Sequence, residues 1–268
     1  MSEGKINPAP QAGARIKIGI IGGSGLDDPG LLDNFKEIEA ETNFGQPSSK
    51  LTVGKLGETE VVIIARHGKN HSIMPTKVPF RANIWALKEA GCSHILATTA
   101  CGSLREEIKP GDLIFIDQFI DNTKHRALTF FEEKVIHTSM AEPFCPKLRK
   151  LLSQSAKELK LDYHSKGTMI TIEGPRFSTK AESHLFRNWG ADTVNMSTVP
   201  EVILAREAGI CYQTIAMSTD YDCWREGEEP VTWEIITRRM EQNADKVKRL
   251  LVKAISKIDF YNCGCKNS

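Results

Sequence analysis

The chain has no apolar run near the ~20 residues that a membrane-spanning helix needs. Its longer pure runs are short, such as Val61-Val62-Ile63-Ile64-Ala65. It has no excess of either charge: Lys plus Arg number 35 and Asp plus Glu 34. No general pull toward nucleic acid or an anionic membrane is therefore built in, although a local anion site stays open. The P-loop pattern G-x-x-x-x-G-K-[ST] is missing, and G-x-G-x-x-G fails because Asp28 stands where the third glycine should be. No second Cys/His pair sits at zinc spacing, so no metal is assigned. Met1 to Ala14 lacks the apolar core of a signal peptide and reads as a frayed tail on a cytosolic protein. There is no linker, internal repeat or low-complexity tract.

What is present suits one α/β domain. The 268 residues are 40% apolar and 26% charged, which excludes wholesale disorder. Short apolar strands alternate with amphipathic helices to the end. Strands are expected at 16–21, 51–56, 60–65, 95–99, 112–117, 167–172, 192–195 and 211–217. Helices are expected at 79–90, closed by Gly91, at 146–159, from the Thr179/Glu182 capping box to Trp189, at 199–208, and from Thr232 onward. The expected architecture is a central mixed β-sheet flanked by helices, spanning 16–260 between tails at 1–15 and 261–268. Of the seven cysteines, Cys92, Cys101, Cys145, Cys211 and Cys223 read as small buried hydrophobes with reduced thiols. Cys263-Gly-Cys265 could be a disulfide, an inter-subunit link or a tail without a role.

Five strand ends carry polar or glycine-rich chemistry. Gly22-Gly23-Ser24-Gly25 offers backbone N–H groups and a hydroxyl to an anion, or is a plain tight turn. Arg66 can clamp phosphate with two parallel N–H bonds, and His67 could donate another; a solvated hairpin end is the bland reading. Thr98 to Leu104 suits a loop facing an oxyanion, and Cys101 has no partner that would make it a nucleophile. Phe177 could stack on a flat ligand or belong to the core. Asp220 and Asp222 could point the same way; two close carboxyls with little water have raised pKa values, so one can donate a proton near neutrality. The alternative is a solvated acidic turn.

Taken in order, Ile-Gly-Ile-Ile-Gly-Gly-Ser-Gly-Leu, Ala-Arg-His-Gly, Thr-Thr-Ala-Cys-Gly-Ser-Leu, Met-Ala-Glu-Pro-Phe, Ile-Glu-Gly-Pro-Arg-Phe-Ser, Asn-Met-Ser-Thr-Val-Pro-Glu and Thr-Asp-Tyr-Asp resemble the 5′-methylthioadenosine phosphorylases. These belong to the trimer-type purine nucleoside phosphorylases, and the resemblance runs from about Ile16 to Ile258. It implies that phosphate attacks C1′ of methylthioadenosine, releasing adenine and forming 5-methylthioribose 1-phosphate. No metal or organic cofactor is implied, since inorganic phosphate is a co-substrate. By that likeness Ser24, Arg66, His67, Thr99, Ala100 and Ser197 bind phosphate, and Met196 contacts the ribose. Phe177 stacks on the purine, Ser178 orients the acids, and Asp220 and Asp222 face N7 and the 6-amino group. His137 reaches a neighbouring subunit's site in a homotrimer or a multiple of trimers. The resemblance implies a cytoplasmic enzyme of purine and methionine salvage, in the nucleus as well if the source is eukaryotic, with no nucleic-acid or membrane partner.

The chemistry of the residues agrees. A carboxylate suits a 6-amino donor, whereas a 6-oxo acceptor calls for an amide or a protonated acid. Trp233 and Ile236 would line an apolar 5′ pocket, with Trp233 standing where smaller Val is common in animal members. Ser24 and Ser197 replace Thr of those relatives, and the segment from Phe130 to Ile136 is shortened. Cys263-Gly-Cys265 is similar to the tail motif of some heat-loving members, a hint of redox chemistry. The rival readings are a broader or 6-oxopurine-specific nucleoside phosphorylase, a nucleosidase that uses water, and a nucleoside-binding sensor without turnover.

Overall fold

The structure, a computed structural model, describes residues 16–22, 29–227, 232–259 and 263–265. The N-terminal tail and Ser24 lie outside them. Alternation of buried residues along the first strand, β1 (Lys17–Gly22), decides the layering. Ile18 and Ile20 face one side and Ile21 the other. The same split recurs in the strand that expectation ended at 99. That strand, β5, runs His94–Ser103, with Leu96 on one side and Ile95 and Ala97 on the other. In a pleated strand successive side chains must do this, and both faces of this sheet therefore need cover.

Helices supply it. Helix α1 (Phe80–Glu89) and helix α4 (Thr198–Glu207) cover one face with Ile84, Leu87, Val202 and Leu204. Helix α2 (Pro146–Glu158) and helix α5 (Trp233–Ile255) cover the other with Leu148, Leu152, Val247 and Leu250. Each such buried side chain contributes about 1.5–3 kcal/mol over exposure. Gly19 is needed for this fit: a Cβ there would lie 3.2 Å from both Leu87 and Ile95. Helix α3 (Lys180–Asn188) buries Phe186 on a smaller cluster with Ile170, Ile172 and Val194. Its capping box forms as expected: the Glu182 N–H donates to Thr179 Oγ1 and the Thr179 N–H to the Glu182 carboxylate.

The other described strands are β2 (Asp33–Ile38), β3 (Leu51–Leu56), β4 (Thr59–Ala65), β6 (Leu113–Phe115), β7 (Gln118–Asn122), β8 (Tyr163–His164), β9 (Thr168–Ile172), β10 (Thr193–Asn195) and β11 (Cys211–Asp220). They form one mixed sheet, as expected, in the order β2-β3-β4-β1-β5-β10-β9-β7. At β5 the sheet forks. Residues His94 to Cys101 pair in parallel with β11, while Gly102 and Ser103 pair antiparallel with β10. The fork corrects two sequence readings. Strand β5 holds the expected 95–99 but runs on, so Ala100 to Ser103 is strand, not loop, and β11 continues past Met217 to Asp220, with a register shift between Ser218 and Asp220. Their small and polar side chains hide the strands, because pairing on both edges replaces apolar alternation as the force that holds them. No described helix is long and apolar enough to cross a membrane.

Candidate active site

The fork brings the ends of β4, β5, β10 and β11 around one cavity of about 870 Å³, counting the part open to solvent. Arg66, His67, Thr99, Ala100, Met196 and Ser197 line one part of it. Phe177, Ser178, Asp220 and Asp222 line another, and Trp233 and Ile236 a third. Every expected site residue within the described segments is therefore on this wall except His137, which is exposed elsewhere on the surface.

At the first end Arg66 follows the last residue of β4 and is buried. Its Nε and Nη2 donate to the two carboxylate oxygens of Glu201, and Nη1 donates to the Thr98 carbonyl at 2.7 Å. Three of its five N–H groups are thus used, and two remain for an anion. Burial alone would lower the guanidinium's pKa, but the Glu201 carboxylate overrides it and holds Arg66 above its ordinary value. Glu201 is 0% exposed and also accepts from Tyr212 Oη at 2.8 Å. A buried charge needs such a partner, since breaking a buried pair typically costs about 3–5 kcal/mol. Glu201 is not among the residues expected from sequence; its one signal there is a carboxylate inside the apolar run Val199 to Ala205.

Beside Arg66 lies a hydroxyl cluster. Thr99 Oγ1 and Ser197 Oγ share a hydrogen bond at 2.9 Å. The Asn195 amide donates to Thr198 Oγ1 at 2.8 Å and to Thr99 Oγ1 at 3.2 Å, and accepts from Thr171 Oγ1 at 2.9 Å. Asn195 thus ties β5, β9 and the entry to α4 together. In the sequence it marks only a strand end, because a single Asn carries no signal of such a network. Ser197 occupies the N-cap position of α4 without a side-chain capping bond, so its hydroxyl is turned to this cluster instead.

His67 behaves differently from expectation. Its Nδ1–H donates to the Ile73 carbonyl at 2.8 Å. Burial, then the Arg66 charge, press its pKa down to about 3, so the ring is neutral and Nε2 carries no proton. The imidazole therefore accepts rather than donates, and any N–H it offers an anion comes from its backbone. The ring stacks on His71 at 4.2 Å, and His71 packs on Trp233 at 4.6 Å. Cys101 also touches the cavity, but burial pushes its thiol well above its ordinary pKa, which excludes it as a nucleophile at neutral pH.

At the second end, Asp220 Oδ2 accepts from Thr219 Oγ1 at 2.6 Å and Oδ1 accepts from the Asp222 N–H at 2.8 Å. Burial, with a further contribution from Asp222, raises the Asp220 pKa from 3.8 to about 6. Burial raises Asp222 too. Asp222 adopts φ +49°, which turns it back toward Asp220. Gly102 makes room for both: a Cβ there would meet Asp220 Oδ1 at 3.0 Å and Asp222 Cβ at 3.2 Å. Phe177, 38% exposed, sits over this end on a loop tied to α3 by the bidentate pair of Arg176 with Glu182. The third part is apolar, lined by Pro75, Trp233, Ile236 and Met240.

The cysteines correct another reading. Cys211 is not an isolated reduced thiol: it is disulfide-bonded to Cys263, and Cys145 and Cys265 lie against the pair.

Comparison with known proteins agrees with this geometry. The profile of the phosphorylase superfamily matches residues 17–256. The S-methyl-5′-thioadenosine phosphorylase of Xenopus tropicalis is 57% identical over 250 residues, covering 91% of this chain and 89% of that one. The protein of the same name from Thermofilum pendens is 53% identical over 253 residues, covering 94% and 96%. Among solved structures, Schistosoma mansoni methylthioadenosine phosphorylase in complex with adenine superimposes with a TM-score of 0.88 at 43% identity, covering 91% and 92%. The chain belongs to the phosphorylase superfamily, in its S-methyl-5′-thioadenosine phosphorylase branch.

Proposed function

We propose that this chain catalyses the phosphate-dependent cleavage of 5′-methylthioadenosine to adenine and 5-methylthioribose 1-phosphate. The observation that carries the reading is one cavity with a paired arginine and hydroxyls at one end, raised-pKa carboxyls at the other, and an apolar wall between helix and loop. Arg66, Thr99, Ala100, Ser197 and the His67 backbone hold phosphate, with Ser24 completing the cradle. Met196 supports the ribose, and Phe177 stacks on the purine. Holding phosphate under C1′ turns a two-body reaction into a local one, which can supply up to about 7–11 kcal/mol of the barrier.

As the C1′–N9 bond breaks, its electrons move onto the base. Asp220, protonated in roughly a tenth of molecules at pH 7 for a pKa of about 6, delivers its proton to N7. Asp222 accepts from the 6-amino group, Ser178 steadies the pair, and the two acids could exchange roles. A 6-oxopurine would place an acceptor against an acceptor, which disfavours inosine. Trp233 and Ile236 enclose the methylthio group. No cofactor enters this reading, since phosphate is the second substrate.

A homotrimeric, cytoplasmic enzyme is part of the same proposal. His137 then completes a neighbour's site, and the exposed apolar Val135 and Ile136 just before it in the chain supply contact surface. The test is adenine release from methylthioadenosine with and without phosphate, with inosine as competitor. Release that needs phosphate, and faster turnover of methylthioadenosine than of inosine, supports the reading. Adenine formed without phosphate would make the protein a nucleosidase.

A further inference from the structure

Four cysteines from three distant parts of the chain meet at the start of β11. Cys145 precedes α2, Cys211 opens β11, and Cys263 and Cys265 follow α5. Their four sulfurs all lie within 4.8 Å of one another. Cys145 and Cys211 are 0% exposed and Cys265 is 2% exposed. The backbone holds this arrangement: the Cys145 N–H donates to the Tyr212 carbonyl at 2.9 Å, and Gly264 at φ +77° turns the chain between the last two cysteines.

Donor groups stand against two of the sulfurs. The Lys147 and Leu148 N–H groups, in the first turn of α2, donate to the Cys145 sulfur. The Arg206 side chain donates to Cys265. Four thiolates around one zinc at about 2.3 Å have sulfurs about 3.8 Å apart, within the spread found here. Cys211 and Cys263 are joined, yet their Cα atoms stand 7.4 Å apart, outside the roughly 4.4–6.8 Å usual for a disulfide. Two ligands of one metal meet no such limit.

We propose that in the reduced chain Cys145, Cys211, Cys263 and Cys265 hold one structural zinc ion. Four S–H bonds give their protons to solvent, four Zn–S bonds form, and no electrons move. Where the disulfide has formed first, a small thiol reductant supplies two electrons and two protons to its sulfurs and becomes a disulfide itself. With four protein ligands the site has no open position, so it fastens structure and does no chemistry. It lies about 30 Å from Asp220, the length of the ten-residue strand β11. Its effect is to clasp the end of α5 to the starts of β11 and α2.

The experiment is metal analysis of the full chain purified with zinc under reducing conditions. One zinc per chain is expected, with all seven cysteines titrating after denaturation and chelation. Exchange with cobalt(II) should give the charge-transfer and tetrahedral bands of a tetrathiolate. Cys145→Ser and Cys263→Ser should lose the stoichiometric zinc, while Cys92→Ser, outside the cluster, keeps it. The wild-type measurement stands even if a variant fails to fold. Wild type free of zinc, five titrating thiols in place of seven, zinc retained by C263S, or iron in its place would each overturn the proposal.

Discussion

The two ends of the cavity follow opposite electrostatic plans. At the Arg66 end charge is matched before any substrate arrives, by a buried carboxylate that grips two nitrogens and by hydroxyls that grip each other. At the Asp220 end two carboxyls share one turn and lean only on hydroxyl and amide donors, so the cheapest way to relieve them is to keep a proton. On the proposed reading, one end is a fixed seat for phosphate and the other a proton store. The difference teaches that a phosphorolytic site can separate placement from proton transfer, with each drawn from different strands.

Breaking the proton store should give the largest effect. Asp220→Asn is expected to lower kcat by about 10²–10⁴-fold while leaving the KM for phosphate nearly unchanged, as steady-state assays would show. The same variant should gain stability at alkaline pH. The folded-state pKa of Asp220 lies above its ordinary value, so its contribution is fully present below pH 3.8 and is lost as pH rises through about 6. Above that, the cost approaches about 3 kcal/mol, which Asn removes; denaturant unfolding at pH 8 checks it. A variant less stable than wild type at pH 8 would refute the burial argument.

Breaking the seat should look different. Glu201→Gln is expected to raise the KM for phosphate roughly tenfold or more and to cost about 3–5 kcal/mol of stability, because it leaves Arg66 buried without a counter-charge. If kcat collapsed with the phosphate KM intact, the division between the ends would fail. The wild-type kcat/KM should fall as pH rises through about 6, where Asp220 gives up its proton. That inflection should vanish in Asp220→Asn and survive in Glu201→Gln. Gly102→Ala, whose Cβ would press on Asp220 Oδ1, should lower kcat by roughly tenfold through misplacement. Trp233→Val should change selectivity rather than rate, with a gain of about tenfold for longer 5′-alkylthio substrates over methylthio; paired kcat/KM values measure it.

Much of this was legible in the sequence, but unevenly. The buried strands showed as β-branched runs, and α3 showed as a capping box, because those signals are local. Arg66, Thr99 and the acid pair show as polar residues at strand ends, Phe177 as an aromatic in a Gly-Pro turn, and Ser197 through the family resemblance. What stayed hidden depends on distant parts of the chain. Edge strand β2 is exposed along its whole length, so it has no apolar alternation to read. Glu201 and Asn195 look like ordinary helix and strand-end residues until Arg66 and Thr99 are placed beside them. Cys145 and Cys211 sit far from Cys263 in the chain, so no spacing rule connects them; only the fold brings their sulfurs together.

The most direct test is a crystal structure of the protein with sulfate and adenine bound together. The account predicts sulfate within hydrogen-bond distance of Arg66, Thr99 and Ser197, with adenine on Phe177 and its N7 and 6-amino group against Asp220 and Asp222. Sulfate away from Arg66, or adenine turned so that neither acid meets N7, would contradict it.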